Sequence, residues 1–462
     1  MVLEKKEEGL LLHACLVGQR RQWERETVMT KRLILALLLS CSPLWATTYY
    51  VDNCVSVGND RNNGTSTSTP WLTINKVNTS TFNPGDSILF ESTCTWREEL
   101  GVPSSGSAGS PITFGAYGTG AAPIISGANL FTSWTPSSGS VYYTSYSTAP
   151  SQVFEDGSRL TQNTVSTASL AAGQWYLDTV NSRIWVYLTA GDNPSGHILE
   201  ASQRPVAIDV YGVAYIAISN LQTQEAQGNG VNICCGSSQV DVSGVLSENN
   251  FNEGIEVYES PNSSVVSSTA MYNGGQGIEF QNSPNALIDR CVAHHNAQLT
   301  GEDWTAGIHV SGLLSTNVTI QNSVSYSNGV GQPDWRGAGI WPDTVGAGLI
   351  VRYNSVFGNN FGGINIDADN GAAVYGNLAY NNGVAGAVAG FGIWFIADGN
   401  DTMTGHVAFG NTIWGNYSRG LVFQGYASGY ADSCMSNTAE NNIAAGTVNG
   451  PNFVAQYGCE NP

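Results

Sequence analysis

The second half of the chain repeats one short pattern of apolar and polar positions. Each copy has Gly, an aliphatic residue, a variable residue and a fourth residue that is usually apolar. The copies begin at Gly230, Gly254, Gly277, Gly307, Gly339, Gly363, Gly392 and Gly420. A period of 23 to 32 residues is typical of a solenoid, in which each repeat buries its apolar side chains against its neighbours. Because successive strand residues point to opposite sides, the variable position should face outward.

The turns that precede these glycines contain Asn and differ in length. The Asn residues are Asn250, Asn273, Asn296, Asn328, Asn360, Asn381 and Asn416. Asn tolerates left-handed turns and forms stacked ladders, so we predict a turn-forming role for them. The turns that begin at Asn296, Asn328 and Asn381 are longer than the others. Longer loops at one corner of a solenoid commonly form the wall of a binding site.

The sequence before the repeats is organised differently. Residues 49–52 predict a strand, and residues 70–74 and 84–90 predict a short helix followed by a strand. Between residues 128 and 203, alternating segments around turns such as Asp156-Gly157 predict antiparallel hairpins. The predicted parts are an N-terminal cap with first coils over 47–127, an inserted antiparallel β module over 128–203 and parallel repeats over 204–462.

A leader is predicted over residues 1–46. Lys31 and Arg32 precede an apolar run that is too short to span a bilayer, and Ala46 suits signal cleavage. We therefore predict Met29 as the start, a signal peptide over 29–46 and a start-site artefact over 1–28. The alternative is a cytosolic protein with a buried apolar helix. The signal predicts a secreted protein, extracellular or periplasmic.

The charge of the chain limits its partners. The 462 residues include 17 Lys and Arg and 36 Asp and Glu, for a net charge of −19. Without residues 1–46, 10 basic and 31 acidic residues remain, for a net charge of −21. Such a surface repels nucleic acid and anionic membranes, so we expect neither as a partner. We expect a monomer that binds a polysaccharide or oligosaccharide.

The cysteines after the leader suggest bridges at both ends of the chain. They are Cys54, Cys94, Cys234, Cys235, Cys291, Cys434 and Cys459, with no zinc-type spacing. In an oxidising compartment, plausible bridges join Cys54 to Cys94 and Cys434 to Cys459. The odd number implies at least one free or buried thiol.

The repeats, together with the opening segments, resemble a known family. The segments read Tyr-Val-Asp at 50–52, Pro-Trp-Leu-Thr-Ile at 70–74 and Ile-Ile-Ser-Gly at 124–127. They resemble the right-handed parallel β-helix enzymes, whose pectate-lyase-like fold serves many polysaccharide lyases and glycoside hydrolases. The hairpin module is similar to that of xylosidase-type β-helix glycosidases. The resemblance implies an all-β solenoid but leaves the reaction open, because one fold hosts several chemistries.

Two outward columns follow from stacking the repeats. The variable position gives Asn232, Glu256, Glu279, His309, Trp341, Asn365, Trp394 and Val422. The position two residues later gives Cys234, Tyr258, Gln281, Ser311, Asp343, Asp367, Ile396 and Gln424. Acids, a histidine and large aromatic residues therefore share one face, which a merely solvated surface would fill with small polar residues and Lys.

Stacked acids suggest glycoside hydrolysis. Neighbouring strands lie about 4.8 Å apart, which would pair Glu256 with Glu279 and Asp343 with Asp367. Like charges this close favour a proton on one member of a pair. Hydrolysis needs one protonated acid and one carboxylate, about 5 Å apart for retention and about 6.5–9.5 Å apart for inversion. Glu279 and Asp343 lie two coils apart, nearer the inverting spacing, so both outcomes stay open.

Candidate site residues are drawn from the columns and the long loops. The predicted catalytic residues are Glu279, Asp343 and Asp367, with Glu256 and Asp303 as alternatives and His309 orienting or protonating a neighbour. The predicted substrate-binding residues are Trp341, Trp394, Asn365, Tyr258, Trp335, Arg336, Trp304 and His295. Two alternatives are calcium bound by Asp367 and Asp369, and the Trp residues packing under the loops. No cofactor is required by this hypothesis.

Three functional hypotheses are consistent with these residues. The leading hypothesis is a secreted glycoside hydrolase that acts on a neutral or weakly acidic polysaccharide. The second is a polysaccharide lyase or uronate epimerase with an Arg or His base and possible use of calcium, since the repeats contain no Lys. The third is a non-catalytic glycan-binding surface β-helix.

Overall fold

The computed structural model describes residues 46–56, 58–299, 304–332, 335–368, 371–383, 390–397, 403–425, 434–456 and 459. Of the predicted leader, only Ala46 is among them. The candidate residues Asp303 and Asp369 lie outside the described residues as well. Among the residues described, no helix has the length and apolar character needed to cross a membrane.

The N-terminal segments combine short strands with one helical turn. The elements are β1 (Thr48–Val51), α1 (Ile74–Asn78), β2 (Ser87–Glu91), β3 (Thr95–Trp96), β4 (Leu100–Gly101), β5 (Ile112–Tyr117) and β6 (Ile124–Ser126). Thr73 caps α1, because its side-chain oxygen accepts a hydrogen bond from the backbone N–H of Lys76 at 3.0 Å. Ile74 and Val77 anchor the helix by burying its inner side.

An antiparallel module follows, as predicted for the fold class. Its elements are β7 (Ala128–Leu130), β8 (Thr135–Pro136), β9 (Val141–Ser145), β10 (Val153–Glu155), β11 (Ser158–Arg159), β12 (Thr161–Gln162), a 3-10 turn (Thr167–Ser169), β13 (Gln174–Asp178), β14 (Arg183–Tyr187), a 3-10 turn (Pro194–Gly196) and β15 (Leu199–Ser202). They form two sheets, ordered β11-β10-β15-β7 and β12-β13-β14-β9-β8. All pairings are antiparallel except that of β12 with β13.

The repeats supply short strands in regular succession. They are β16 (Ile208–Tyr211), β17 (Ala214–Ser219), β18 (Gln222–Gln224), β19 (Val231–Cys234), β20 (Ser238–Ser243), β21 (Leu246–Glu248), β22 (Ile255–Tyr258), β23 (Ser264–Val266), β24 (Thr269–Met271), β25 (Ile278–Gln281), β26 (Leu287–Asp289), β27 (Val292–His294), β28 (Ala306–Ser311), β29 (Thr319–Gln321), β30 (Val324–Tyr326), β31 (Ala338–Val345), β32 (Ile350–Arg352), β33 (Ser355–Phe357), β34 (Gly362–Ala368), β35 (Ala373–Tyr375), β36 (Leu378–Tyr380), β37 (Phe391–Ile396), β38 (Met403–Thr404), β39 (Val407–Phe409), β40 (Thr412–Trp414), β41 (Arg419–Gln424), β42 (Cys434–Met435), β43 (Thr438–Glu440), β44 (Ile443–Ala445) and β45 (Phe453–Gln456).

These strands build three long parallel sheets. Sheet 1 is ordered β4-β16-β19-β22-β25-β28-β31-β34-β37-β41-β45. Sheet 2 is ordered β1-β2-β5-β17-β20-β23-β26-β29-β32-β35-β39-β43, and sheet 3 is ordered β3-β6-β18-β21-β24-β27-β30-β33-β36-β40-β44. A short pairing joins β38 to β42. Each coil visits the sheets in turn, so residues far apart in sequence become neighbours along each sheet.

The core lies inside the coils and follows the repeated pattern. In β22, Ile255 and Val257 point inward and are fully buried, and in β25 Ile278 and Phe280 do the same. Full burial of such a side chain contributes about 1.5–3 kcal/mol relative to its exposure. A single coil has no second layer of its own, so this stabilisation depends on stacking.

A ladder of buried Asn side chains runs along the loop corner, which we define as the turns from each sheet 3 strand to the next sheet 1 strand. Its members are Asn250, Asn273, Asn296, Asn328, Asn359, Asn382 and Asn416. The Asn250 side-chain N–H, for example, donates to Asn273 Oδ1 at 3.0 Å. At two positions the ladder uses the neighbouring residue, Asn359 in place of Asn360 and Asn382 in place of Asn381. Asn381 has the left-handed backbone conformation expected of a turn residue, with φ of 52°.

The ladder explains the Gly that opens seven of the eight repeats. A Cβ atom at Gly254 would lie 2.7 Å from Asn273 Nδ2 and 2.6 Å from the carbonyl oxygen of Gly277. Both distances are shorter than a carbon atom tolerates, and the carbonyl belongs to the backbone. The pattern of Asn and Gly in the sequence therefore reflects one packing requirement at this corner.

Disulfides close the chain at both ends. The predicted bridges Cys54–Cys94 and Cys434–Cys459 are present. A third bridge joins the adjacent residues Cys234 and Cys235, which the sequence did not lead us to expect. Cys291 is a buried free thiol, in agreement with the odd number of cysteines.

Candidate active site

Sheet 1 holds both outward columns in the predicted register. In the first column Glu256 pairs with Glu279, and Glu279 pairs with His309. In the second column Asp343 pairs with Asp367, on the adjacent strands β31 and β34. The acids that the repeats predicted to share a face therefore do share one.

A cavity of about 400 Å³ lies on the outer side of sheet 1. It is lined by Trp304, Trp335, Trp341, Asp343, Asp367, Trp394, Ile396 and Gln424. Four indole rings thus share the cavity wall with two carboxylates that lie on neighbouring strands. Six of the lining residues are among the predicted site residues, and their grouping follows from the two columns together with the long loops.

The indoles belong to a packed aromatic cluster. Trp304 stacks on Trp335 with ring centres 5.3 Å apart, and Trp341 stacks on Phe361 at 5.4 Å. Trp341 and Trp394 are each only 3% exposed, whereas Trp304 is 45% exposed. The alternative that the Trp residues pack under the long loops is therefore correct for Trp341 and Trp394, which still form part of the cavity wall.

His309 bridges two of the carboxylates. Its Nδ1 lies 3.0 Å from Glu279 Oε1, and its Nε2 lies 4.0 Å from Asp343 Oδ2. Burial by itself lowers the pKa of His309, but the hydrogen bond to Glu279 and the charges of Glu279 and Asp343 outweigh it, so the pKa is raised above its usual value. A protonated His309 donates to Glu279 through Nδ1 and directs its second N–H toward Asp343.

Glu256 is a carboxyl that holds a proton near neutral pH. Burial and the neighbouring charge of Glu279 raise the pKa of Glu256 to about 7, although a hydrogen bond from the Asn229 side-chain N–H opposes the shift. The raised pKa that the sequence predicts for one member of a stacked acid pair is therefore present in Glu256. Glu256 and Glu279 lie on the same face as the cavity but do not line it.

Several buried polar atoms around the cavity have no hydrogen-bond partner among the described residues. They are Asn365 Oδ1 and Nδ2, His309 Nε2, Ser311 Oγ, Trp341 Nε1 and Trp394 Nε1. An unpaired buried polar atom costs about 1–3 kcal/mol. Asn365 is fully buried and pairs in register with Trp394, so its amide is held in place by the sheet. Such buried atoms suit ordered water.

Comparison with known proteins agrees with this architecture. A sequence family described as a right-handed beta helix region matches residues 206–382. XylC, solved in complex with xylose, superimposes with a TM-score of 0.64 at 14% identity, over 82% of this chain and 70% of that one. The chain is a right-handed parallel β-helix. This β-helix also matches a structure named as a glycoside hydrolase, with a TM-score of 0.59, 10% identity and coverage of 86% and 96%.

One curated relative matches over a short segment. A lacto-N-biosidase of Bifidobacterium longum subsp. longum is 42% identical to the β-helix over 76 residues. The match covers 16% of this chain and 5% of that protein. The chain therefore spans a small part of the length of this relative.

The remaining predicted residues lie in different places. Tyr258 faces outward from sheet 1 on the N-terminal side of the cavity, and Arg336 lies in a long loop, where its Nη1 donates to Gln332 Oε1 at 3.4 Å. His295 is not part of the cavity, because it follows the sheet 3 strand β27 and packs on Tyr272 with ring centres 5.0 Å apart. The calcium pair of Asp367 and Asp369 stays a prediction, since Asp369 is not among the described residues.

Sequence reasoning missed part of the aromatic cluster. Phe361 and Phe391 pack against the Trp residues, together with Ala306 and Ala338. All four lie one or two residues before a repeat Gly in coils at or next to a long loop. The signal that could have identified them is an apolar residue one or two positions before the repeat Gly, which lies outside the four-residue repeated pattern.

Proposed function

We propose that the β-helix is a secreted glycoside hydrolase that acts on a neutral or weakly acidic polysaccharide or oligosaccharide. The observation that carries the proposal is the cavity, whose wall combines four indole rings with Asp343 and Asp367 and includes the exposed ring of Trp304. Aromatic rings offer flat apolar surfaces to the C–H face of a sugar, and two neighbouring carboxyl groups supply the acid and the nucleophile of glycoside cleavage.

Asp343 is suited to be the nucleophile. The Thr344 hydroxyl donates to Asp343 Oδ1 at 3.0 Å, and His309 Nε2 lies 4.0 Å from Oδ2. The hydroxyl and the imidazole each contact one carboxylate oxygen and so hold the Asp343 side chain in position. Glu279, through its hydrogen bond to His309, acts as a positioning residue for this group.

Asp367 is suited to be the acid. It is only 7% exposed, lines the cavity and pairs in register with Asp343 on the adjacent strand. In the first step Asp367 gives its proton to the glycosidic oxygen while Asp343 attacks the anomeric carbon, so that the C–O bond breaks and a glycosyl ester forms. In the second step Asp367 takes a proton from water, and the resulting hydroxide releases the sugar from Asp343. The adjacent strands, about 4.8 Å apart, favour this retaining route over inversion.

The charge of the face favours a neutral sugar. The two outward columns contain Glu256, Glu279, Asp343 and Asp367, and no Lys or Arg. A lyase or epimerase must neutralise the carboxylate of its uronate substrate, and these columns offer only His309 as a cation. The three disulfides support the proposed secretion, because such bridges persist in oxidising compartments.

The test is an assay of the secreted chain on neutral and acidic polysaccharides, following both reducing ends and the ultraviolet absorbance of unsaturated uronates. We expect new reducing ends without unsaturated products, and a loss of kcat of about 10²–10⁴-fold in Asp343→Asn and in Asp367→Asn. Asp241→Asn is the matched control, since Asp241 is an exposed residue of sheet 2. Unsaturated products would identify a lyase instead, and full activity of both variants would refute the assigned roles.

A further inference from the structure

Sheet 1 continues beyond the cavity toward the N-terminus with an unusual strip of side chains. In the second column, Tyr211 on β16 pairs in register with Cys234 on β19, and Tyr258 lies on the next strand, β22. Tyr211 is 65% exposed. Strands at this spacing place Tyr211 and Tyr258 roughly 10 Å apart, with the disulfide between them.

The adjacent disulfide gives this strip an apolar centre. Cys234 points outward from β19 and is bonded to Cys235, which is exposed. Sulfur is polarizable and makes favourable contacts with apolar surfaces, so the bridge offers a compact apolar surface between two phenol rings. No charged side chain interrupts the strip from Tyr211 to Tyr258 along the second column.

A polar strip runs beside the apolar one. In the first column the Asn232 side-chain N–H donates to Asp209 Oδ1 at 2.8 Å and contacts Cys234 Sγ at 3.5 Å. Glu256 continues the strip on the next strand. A sugar chain presents an apolar C–H face and hydroxyl edges, so it matches an apolar strip with hydrogen-bonding groups alongside it.

The inserted antiparallel module contacts the coils that carry the strip from Tyr211 to Tyr258. Arg159 Nη2 donates to the Tyr272 carbonyl at 2.9 Å, and Gln152 Nε2 donates to the Ala226 carbonyl at 3.0 Å. Ala226 and Tyr272 both lie at the loop corner, which carries the long loops farther along the chain. The inserted module therefore lies along the loop corner of the first coils, and the long loops lie along the loop corner of the later coils.

We propose that Tyr211, the Cys234–Cys235 bridge and Tyr258 bind further units of a neutral oligosaccharide whose terminal unit occupies the cavity. The inference rests on the proposed function and deepens it, since it assigns a direction to the substrate. The bound sugar chain runs along sheet 1 from the cavity toward β16. The acids Asp209, Glu256 and Glu279 beside the strip disfavour a polyanionic chain.

Binding measurements in the Asp343→Asn background test the inference without turnover. The probes are neutral oligosaccharides of xylose, galactose and glucose, from disaccharides to hexasaccharides, titrated by calorimetry. We expect the affinity to rise with chain length in at least one series. Tyr211→Ala and the double variant Cys234→Ser, Cys235→Ser should each lower the affinity for the hexasaccharide about tenfold.

Tyr353→Ala is the matched control, because Tyr353 is 55% exposed and follows a strand of sheet 2. It should keep the full dependence on chain length, and thermal unfolding of every variant checks the fold. Equal affinities for short and long probes, or a hexasaccharide affinity unchanged in Tyr211→Ala, would overturn the inference.

Hydrolysis by the unsubstituted chain, measured on the same probes, separates the two proposals. Cleavage without any effect of chain length overturns the inference alone. Length-dependent binding without cleavage supports the strip and overturns the hydrolase. Neither binding nor cleavage in any series overturns both.

Discussion

Removal of one ladder side chain should destabilise the β-helix strongly, and Asn328→Ala is the informative substitution. Asn328 Oδ1 accepts from the backbone N–H of Asn296 at 3.0 Å and from its side-chain N–H at 3.1 Å. Asn328 Nδ2 donates to Asn359 Oδ1, the Ala293 carbonyl and Ser325 Oγ at 2.9, 3.2 and 3.1 Å. All of these groups are buried or close to burial, so water cannot replace the lost partners.

The expected loss follows from these bonds. Depriving the buried Asn296 backbone N–H of its acceptor costs about 1–3 kcal/mol, and each of the other bonds contributes about 0.5–1.5 kcal/mol net. Because the bonds share atoms, we expect a total of about 3–6 kcal/mol rather than the full sum. A typical domain has a free energy of unfolding of about 5–15 kcal/mol, so the loss is large.

Equilibrium urea denaturation of Asn328→Ala, followed by circular dichroism and Trp fluorescence, measures this loss. Asn354→Ala is the matched control, because Asn354 belongs to a second buried ladder between sheets 2 and 3, away from the long loops. Both variants should lose stability, but only Asn328→Ala should weaken substrate affinity, since Asn328 begins a loop that carries Trp335. A loss below about 1 kcal/mol would refute the reasoning about buried hydrogen bonds.

Three further predictions concern charge and the cavity. Glu279→Gln removes the partner that raises the pKa of His309, so the alkaline fall of kcat/KM should move to lower pH; an unchanged pH profile would contradict the positioning role. Hydrogen bonds to Asp156 and Asp192 raise the pKa of His197 to about 9, so its stabilising contribution is complete below about pH 6.5 and lost as the pH rises through about 9. Thermal melts across this range should show less pH dependence in Asp156→Asn than in the parent. Trp304→Ala, which removes the most exposed indole of the cavity, should raise KM about tenfold with less effect on kcat; a selective fall in kcat would argue for a role in catalysis.

The periodic part of the fold could be predicted because each coil repeats the same physical requirements. Inward apolar residues such as Ile255 and Val257 and the outward acids follow from alternation along a strand. The repeat pattern does not decide the ladder position where two Asn residues adjoin, as at Asn359 and Asn360, because either residue satisfies the turn chemistry. Only the stacking with neighbouring coils decides which of the two is buried.

The irregular part of the site could not be predicted from the same pattern. His295 was assigned to the site because it begins a long loop, but its ring lies on the outer side of sheet 3. The aromatic cluster depends on how the long loops place Trp304 and Trp335 against the outer side of sheet 1. The repeat pattern does not encode the path of these loops. The disulfide between Cys234 and Cys235 joins two residues that are adjacent in the sequence. The predicted bridges, in contrast, join cysteines that lie far apart in the sequence.

The contact between seven of the eight repeat glycines and the Asn of the next coil means that a coil is not an independent evolutionary unit. A side chain at Gly254 would collide with Asn273, and one at Gly307 would collide with Asn328. Each such pair spans a boundary between coils. Because a side chain at Gly254 would also meet the backbone carbonyl of Gly277, a change of the Asn alone does not make room for it. In aligned relatives each Gly should therefore be retained together with the Asn of the next coil. Exchange of coils between proteins should succeed only when the cut leaves each Gly together with its Asn partner.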